Sequence, residues 1–421
     1  MSSKKPLLPE VSIGVVGHVD HGKTTLVQAL TGIWTARHSK EVERGMTIFL
    51  GYADGNLAFC NGFEPPEAYT TETTCPDGSE AQILRRVSYV DAPGHEAYMT
   101  TMLSGAMIID GAILVISATE PCPQPQTIEH LMALQILGVK HIIVVQNKID
   151  AVSKERALKN YEEIKNFLKG TVAENAPIIP VSALHKTNID VLVQAIYETI
   201  PVPERDLSKP PLMYVVRSFD INRPGTTYKN VQGGVLGGAL LQGRLRLGEE
   251  IAVLPGIKVP KETSRKVQEY EYVPLTTTIE EIRYGDVAAE EARPGGLVAI
   301  RTGLDPSLTK ADRLVGSIVT RPGEKLPVTM HLEISYHVFE RVVGLKTQQE
   351  VKLQPIKPGE KIIVVVGPAT RTATVKAVKK GVLEVELSEP VVAWKGIRVA
   401  IGRRVLARWR LAGWGFVENI Y

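Results

Sequence analysis

The stretch Gly17-His18-Val19-Asp20-His21-Gly22-Lys23-Thr24 constrains this chain more than any other. A glycine, four residues, then Gly-Lys-Thr is the pattern of a loop whose backbone N–H groups converge on phosphate oxygens. It follows the apolar run "VSIGVV" and opens a helix, so the positive end of that helix points at the same place. Such a loop needs a buried strand behind it, which commits this end of the chain to an α/β sheet. Lys23 is expected to neutralise the β and γ oxygens, and the Thr24 hydroxyl to ligate Mg2+. Asp20, His21, Gly22 and Thr25 complete the expected phosphate contacts.

The pattern around the loop agrees. The runs "RVSYVDA", "GAILVISA", "HIIVVQNK" and "PIIPVSA" are nearly continuous in apolar residues, as in strands buried on both faces. Amphipathic stretches over Thr127–Leu137 and Lys154–Leu168 lie between them, which predicts a mostly parallel sheet wrapped by helices. "PVPERDLSKPP" (201–211) ends this region as a linker. Afterwards the texture becomes short β-runs with Gly and Pro turns, from "LMYVVRSFDI" to "GGLVAIRTGL", then from "VTMHLEISY" to "GIRVAIG". These spacings predict two all-β barrels. The expected domains are 1–205, 206–325 and 326–421, with the second boundary near "RPGEKL" (321–326).

Two further motifs choose the nucleotide. "VDAPGH" (90–95) ends an apolar strand, so Asp91 is expected to hold Mg2+ through a water, and the Gly94 N–H to sense a terminal phosphate. "VVQNKID" ends another strand with Asn147, Lys148, Ile149 and Asp150. A carboxylate at Asp150 can accept two N–H bonds from guanine N1 and N2, a donor pair that adenine lacks. The aliphatic stem of Lys148 can cover the ring. The backbone of Ser182, Ala183 and Leu184 in "PVSAL" can reach the guanine carbonyl. The expected ligand is GTP or GDP. His95 directly follows Gly94, so its imidazole is placed to orient the attacking water, with Val19 and Met46 as apolar gates. No arginine finger is evident, which predicts slow intrinsic hydrolysis.

Composition matters mainly for what it excludes. At 421 residues, 44% hydrophobic and 23% charged, the chain has ordinary globular composition, and its net charge of +3 does not by itself imply nucleic acid. The C-terminal stretch is locally basic, with Lys395, Arg398, Arg403, Arg404, Arg408 and Arg410 against Glu418. This run suits a solvated face or a polyanion equally. Trp409 and Trp414 within it read as barrel core. The N-terminus lacks the apolar core of a signal peptide and no apolar run reaches ~18 residues, so the expectation is a cytoplasmic protein with no membrane partner. Three cysteines make no extracellular disulfide framework.

"GHVDHGKT", "DAPGH", "NKID" and "SAL", with "RGMTI" at 44–48, resemble the nucleotide motifs of translational GTPases in their order. "RGMTIFLGYAD", "PCPQPQT", "VSALHKTNID", "RSFDINRPGT", "GGLVAIRTGLDPSLTKADRLVGSI" and "RWRLAGWGFVE" are similar to the gamma subunits of archaeal and eukaryotic-type initiation factor 2. That resemblance covers essentially the whole chain. It implies a GTP-dependent carrier of initiator methionyl-tRNA to the small ribosomal subunit, working with alpha and beta subunits and hydrolysing GTP on start-codon recognition. It further implies Thr47 as a second Mg2+ ligand, released when the γ-phosphate leaves, and Asp20 and Gly45 at a second Mg2+ ion. Tyr52 and Asn56 are implied as walls of a pocket for the methionine or the terminal adenosine of the tRNA. The alternatives are an elongation-type aminoacyl-tRNA carrier, selenocysteine-specific forms included, and the GTPase subunit of a sulfate adenylyltransferase.

The sequence departs from the family pattern once. The family often carries a zinc knuckle of two Cys-x-x-Cys pairs between "GYAD" and "DAPGH". Here Cys60 and Cys75 stand, with Phe63 and Gly78 at the partner positions. Two thiolates do not fill a tetrahedral site, so no zinc is expected. A Cys60–Cys75 disulfide is the alternative staple.

Overall fold

The computed structural model describes residues 7–36, 50–95, 99–261, 270–339, 352–405 and 408–421. Gly45, Met46 and Thr47 lie outside the described residues. The chain divides into two units. The first takes 1–203 with 340–353 and 405–411, the second 204–339 with 354–404 and 412–421.

The first unit is built on a mixed seven-stranded sheet. Its strands are β1 (Val11–Gly17), β2 (Gly51–Phe59), β3 (Tyr69–Thr70), β4 (Gln82–Asp91), β5 (Gly111–Ser117), β6 (His141–Asn147) and β7 (Ile178–Val181). They run in the order β3-β2-β4-β1-β5-β6-β7. β4, β1, β5, β6 and β7 are parallel, while β2 pairs antiparallel with β4, and β3 antiparallel with β2. β1 and β5 are buried along their whole length, which is why they read as unbroken apolar runs.

Five longer helices accompany the sheet: α1 (Lys23–Thr31), α2 (Met99–Ala106), α3 (Pro125–Leu137), α4 (Lys154–Leu168) and α5 (Ile189–Thr199). Their ends follow local chemistry. Pro125 opens α3, where a missing N–H costs nothing, and Gly138 closes it in the left-handed conformation. The Ser153 side chain caps α4 by accepting from the Arg156 N–H. Leu26, Val27 and Leu30 of α1 pack with Val11, Ile13 and Val15 of β1 in one buried cluster, joined by Leu192, Val193 and Ile196 of α5.

β2 is absent from the sequence reading. Its residues alternate between buried and half-buried, and Gly51 and Gly55 depress its strand propensity. Beyond it Cys60 and Cys75 are joined by a disulfide with Cα atoms 5.7 Å apart. Ala58 and Ala81 are buried around the disulfide and Phe63 packs against it, while the Gly78 N–H donates to the Cys75 carbonyl. The loop between Cys60 and Cys75 is thus a small apolar core closed by a covalent bond.

The second unit is mainly β, with a short helix at Pro306–Thr309. Nine strands follow the linker: β8 (Leu212–Phe219), β9 (Val235–Gln242), β10 (Leu245–Arg246), β11 (Glu250–Pro260), β12 (Tyr270–Tyr284), β13 (Val287–Ala289), β14 (Glu291–Ala292), β15 (Leu297–Thr302) and β16 (Ile318–Thr320). The order β11-β16-β8-β9-β15-β12 closes on itself through the β11–β12 pairing, giving a six-stranded barrel. A second six-stranded barrel closes in the order β17-β20-β19-β18-β21-β22. It comprises β17 (Val328–Val338), β18 (Lys361–Val366), β19 (Ala369–Lys379), β20 (Val382–Val392), β21 (Arg398–Val405) and β22 (Arg408–Ile420), of which residues 405 and 408–411 belong to the first unit. Closure pairs the first and last strands of each barrel, which removes the edges of an open sheet there.

Trp409 and Trp414 are half-buried rather than core. Trp414 instead packs its ring against His337 and Phe416. Arg403, from the basic run, is buried and held by both carboxylate oxygens of Glu360, at 2.6 and 2.9 Å.

Candidate nucleotide site

Parallel register brings the motifs to one edge of the first sheet. Val15 is opposite Asp91, Gly17 opposite Val115, Ser117 opposite Asn147, and Asn147 opposite Val181. The carboxyl ends of β1, β4, β5, β6 and β7 therefore converge, where open α/β sheets place their ligands.

The phosphate loop runs from Gly17 to the start of α1. Gly22 caps that helix at φ 90°, and a Cβ there would lie 2.3 Å from the Asn147 amide nitrogen. Only glycine fits both demands. The Asn147 side chain then spans the site: its Nδ2 donates to the His21 carbonyl at 2.9 Å, and its Oδ1 accepts from the Ala183 N–H at 3.1 Å. Asn147 thus ties the phosphate loop to the segment expected at the base. The His21 side chain is buried, with Nδ1 3.1 Å from the Val115 carbonyl. Its ring therefore packs into the protein and only its backbone faces Asn147.

Lys23 is buried, and its Nζ donates to the His18 carbonyl at 2.7 Å. Burial pushes its pKa down to about 8, against the opposing pull of Asp91 and Asp20. The ammonium thus stands in a site of weak dielectric screening, where it would act strongly on a phosphate. Asp20, in the loop, is exposed at φ 61°. Thr25 follows Thr24 into α1, half-buried.

At the end of β4, Asp91 is fully buried and its Oδ2 accepts from the Thr24 hydroxyl at 2.7 Å. A hydroxyl and a carboxylate at a helix N-terminus form the hard-oxygen donor set that suits Mg2+. Gly94 is buried and His95, next in line, half-buried; Val19 is half-buried in the phosphate loop.

At the other end of the site, Lys148 takes the left-handed conformation at φ 62°, and Ile149 and Asp150 enter a short 3-10 turn. The Ser182 hydroxyl hydrogen-bonds Asp150 and holds its carboxyl below the usual carboxylate range. The His185 imidazole lies 3.8 Å from Asp150. Asp150 is therefore ionised at neutral pH and positioned as an acceptor. Leu184 beside it is 72% exposed, an apolar surface suited to the edge of a ring.

Tyr52 and Asn56 share one face of β2, separated by about 13 Å at strand spacing. Asp54, on the same face, stands between them and accepts from the Ser88 hydroxyl at 2.6 Å.

Two residues of this site escape the motif reading. His130 of α3 is buried, and its Nδ1 accepts the Gly17 N–H at 2.8 Å. Burial pushes its pKa down to about 3, so the ring is neutral, with its proton on Nε2. Thr35, just beyond α1, is buried and donates its hydroxyl to Asp91. Neither has a spacing signal, because each reaches the site through tertiary packing.

Comparison with known proteins identifies the family. Residues 9–202 match the family described as Elongation factor Tu GTP binding domain, and residues 330–417 match Initiation factor eIF2 gamma, C terminal. Translation initiation factor 2 subunit gamma of Aeropyrum pernix is 56% identical over 421 residues, covering 99% of this chain and 100% of that protein. The protein of the same name from Pyrococcus furiosus is 54% identical over 417 residues, covering 99% of each. Among solved structures, a bacterial selenocysteine-specific elongation factor EF-Sec superposes with TM-score 0.72 at 25% identity, over 98% of this chain and 58% of that one. Translation elongation factor SelB from Methanococcus maripaludis, with the GTP analogue GppNHp, gives 0.70 at 25% identity, over 99% and 80%. With the guanine-nucleotide motifs on one sheet edge, two barrels later in the sequence and full-length relatives above half identity, the chain belongs to the translational GTPases as a member of the translation initiation factor 2 gamma-subunit family.

Proposed function

We propose that this protein carries initiator methionyl-tRNA to the small ribosomal subunit in its GTP form and releases it after hydrolysis to GDP. In this reading it works in the cytoplasm with alpha and beta subunits, its nucleotide domain spanning 1–205 and its barrels 206–325 and 326–421. The observation that carries the proposal is the convergence of Gly22, Lys23, Thr24, Asp91, Asn147 and Asp150 on one sheet edge, in a chain whose full-length relatives bear the initiation-factor name.

Each residue has a task in that reading. Lys23 neutralises the β and γ oxygens, the N–H groups of the loop from Asp20 to Thr25 cradle them, and Gly94 senses the terminal phosphate. Asp150 accepts from guanine N1 and N2, Lys148 covers the ring, and Ile149 and the 182–184 backbone complete the pocket. Thr24 would hold a Mg2+ ion directly and Asp91 through a water, with Thr47 as a second direct ligand and Asp20 with Gly45 at a further Mg2+. Bound there, the ion neutralises charge on the β and γ phosphates. His95 orients a water whose oxygen bonds to the γ-phosphorus as the β–γ bridging bond breaks, leaving GDP and inorganic phosphate. Tyr52 and Asn56 would contact the aminoacyl end of the tRNA.

The test is protection of the methionyl ester against spontaneous hydrolysis, with alpha and beta subunits supplied. Strong protection of initiator methionyl-tRNA with GTP, and weak protection with GDP, is expected. Equal protection in both nucleotide states overturns the proposal. Preference for elongator methionyl-tRNA points to the elongation-type reading.

A further inference from the structure

Asp91 receives two hydroxyl protons on one oxygen. The Thr24 and Thr35 hydroxyls both donate to Oδ2, each at 2.7 Å. A carboxylate held by one donor can still swing about its Cβ–Cγ bond, whereas two donors converging from different elements fix that rotation. Thr24 comes from the first turn of α1, and Thr35 from the segment that follows the helix at Gly32. Both hydroxyls lie on Oδ2, so the other oxygen of the group takes a set direction.

The surrounding packing is built for this contact. Thr35 is buried, although a threonine in a connecting segment normally keeps its hydroxyl in water. Gly51, at the start of β2, pairs directly with Asp91. A Cβ at Gly51 would lie 2.7 Å from the Thr35 Cβ and 3.3 Å from the Asp91 Cβ. The absence of a side chain there lets Thr35 approach Asp91 at all. Thr35, Gly51 and Asp91 thus form one interlocked unit drawn from three separate stretches of sequence.

We infer that Thr35 is a positioning residue of the magnesium site, orienting the Asp91 carboxylate toward a Mg2+ ion at Thr24. This inference rests on the reading that Thr24 holds magnesium directly and Asp91 holds it through a water. A hydroxyl that orients a carboxylate beside a metal acts on metal affinity rather than on base recognition. Groups that orient metal ligands typically change metal affinity about 10- to 100-fold when removed. Since magnesium and nucleotide bind together, the effect is read as magnesium-dependent retention of nucleotide.

The experiment follows release of a fluorescent GDP analogue from the full-length chain, in excess Mg2+ and in excess EDTA. The ratio of the two rates isolates the contribution of the metal, because a general packing defect speeds both rates alike and leaves their ratio alone. Thr35→Val keeps the shape and removes the donor, while Thr35→Ser keeps the donor. The expected result is a ratio reduced about tenfold in Thr35→Val and restored to wild type in Thr35→Ser. A wild-type ratio in Thr35→Val overturns the inference and leaves the magnesium reading intact. A wild-type protein that releases the analogue equally fast in Mg2+ and EDTA overturns the magnesium reading, and this inference with it.

Discussion

At the single-residue scale, the roles proposed for Asp150 and His95 separate recognition from chemistry. Asp150 is ionised and held by Ser182, and in the proposed reading its carboxylate accepts from donors on the guanine base. Asp150→Asn replaces one acceptor by a donor that meets the guanine N–H groups head on. GDP affinity should fall roughly 10- to 100-fold, the scale of a lost charge-assisted hydrogen bond, and xanthosine diphosphate should bind better than to the wild type. Competition against a fluorescent GDP analogue measures both; unchanged GDP affinity would remove Asp150 from the base site. His95 has a narrower task. His95→Ala should slow ribosome-stimulated hydrolysis by about 100-fold or more while GTP affinity stays within a factor of two or so. A parallel loss of affinity would mark His95 as a packing residue instead.

At the scale of elements, α3 holds the phosphate loop in place. The His130 ring receives the Gly17 N–H inside the protein, so His130→Leu leaves a buried donor unsatisfied, at a cost of about 1–3 kcal/mol. Denaturant unfolding should show that loss, and His130→Asn, which keeps an acceptor near Nδ1, should recover part of it. The same contact has a pH signature. The folded state holds His130 near pKa 3 while the unfolded chain titrates near 6.5, so between those values the unfolded state binds the extra proton. The contribution is complete above pH 6.5 and declines as pH falls toward 3. Stability should drop by up to about 1.4 kcal/mol per pH unit from this group, and the slope should flatten in His130→Asn. The loop between Cys60 and Cys75 is the other stabilised element. Closing 15 residues restrains the unfolded chain by about 3 kcal/mol in the chain-entropy account. Thiol titration of the denatured, unreduced protein should find one reactive group, Cys122; three would refute the bond.

For the molecule as a whole, the notable pairing joins positions far apart in sequence. Arg410 of β22 and Glu129 of α3 are both buried, both belong to the first unit, and meet at 2.9 Å. Burial raises the Glu129 pKa and the guanidinium of Arg410 opposes that rise. Removing one partner strands a charge in a dry site, so Arg410→Ala should cost about 3–5 kcal/mol in denaturant unfolding. The double replacement Glu129→Leu with Arg410→Met should cost far less, since no charge is left behind. Equal losses in the single and double variants would mean that the pair contributes through packing alone. Two of the six basic residues in the C-terminal run, Arg403 and Arg410, thus prove to be internal structure, which a count of charges along the chain could not reveal.

The sequence by itself determined the α/β nucleotide domain, the two barrels and the succession of motifs, because these are written in contiguous residues. Buried parallel strands read as unbroken apolar runs, and the phosphate loop, "DAPGH" and "NKID" each lie on one strand end. β2 and β12 escaped because a half-buried strand with glycines and a largely exposed one with proline and charge lack that signature. Only the tertiary structure decided that His130 supports Gly17, that Thr35 reaches Asp91 past Gly51, and that Arg410 is spent on Glu129. Each of these contacts joins side chains from separate elements in a low-dielectric interior. A hydrogen bond or charge pair there depends on distance and burial, which periodicity and spacing along the chain do not encode.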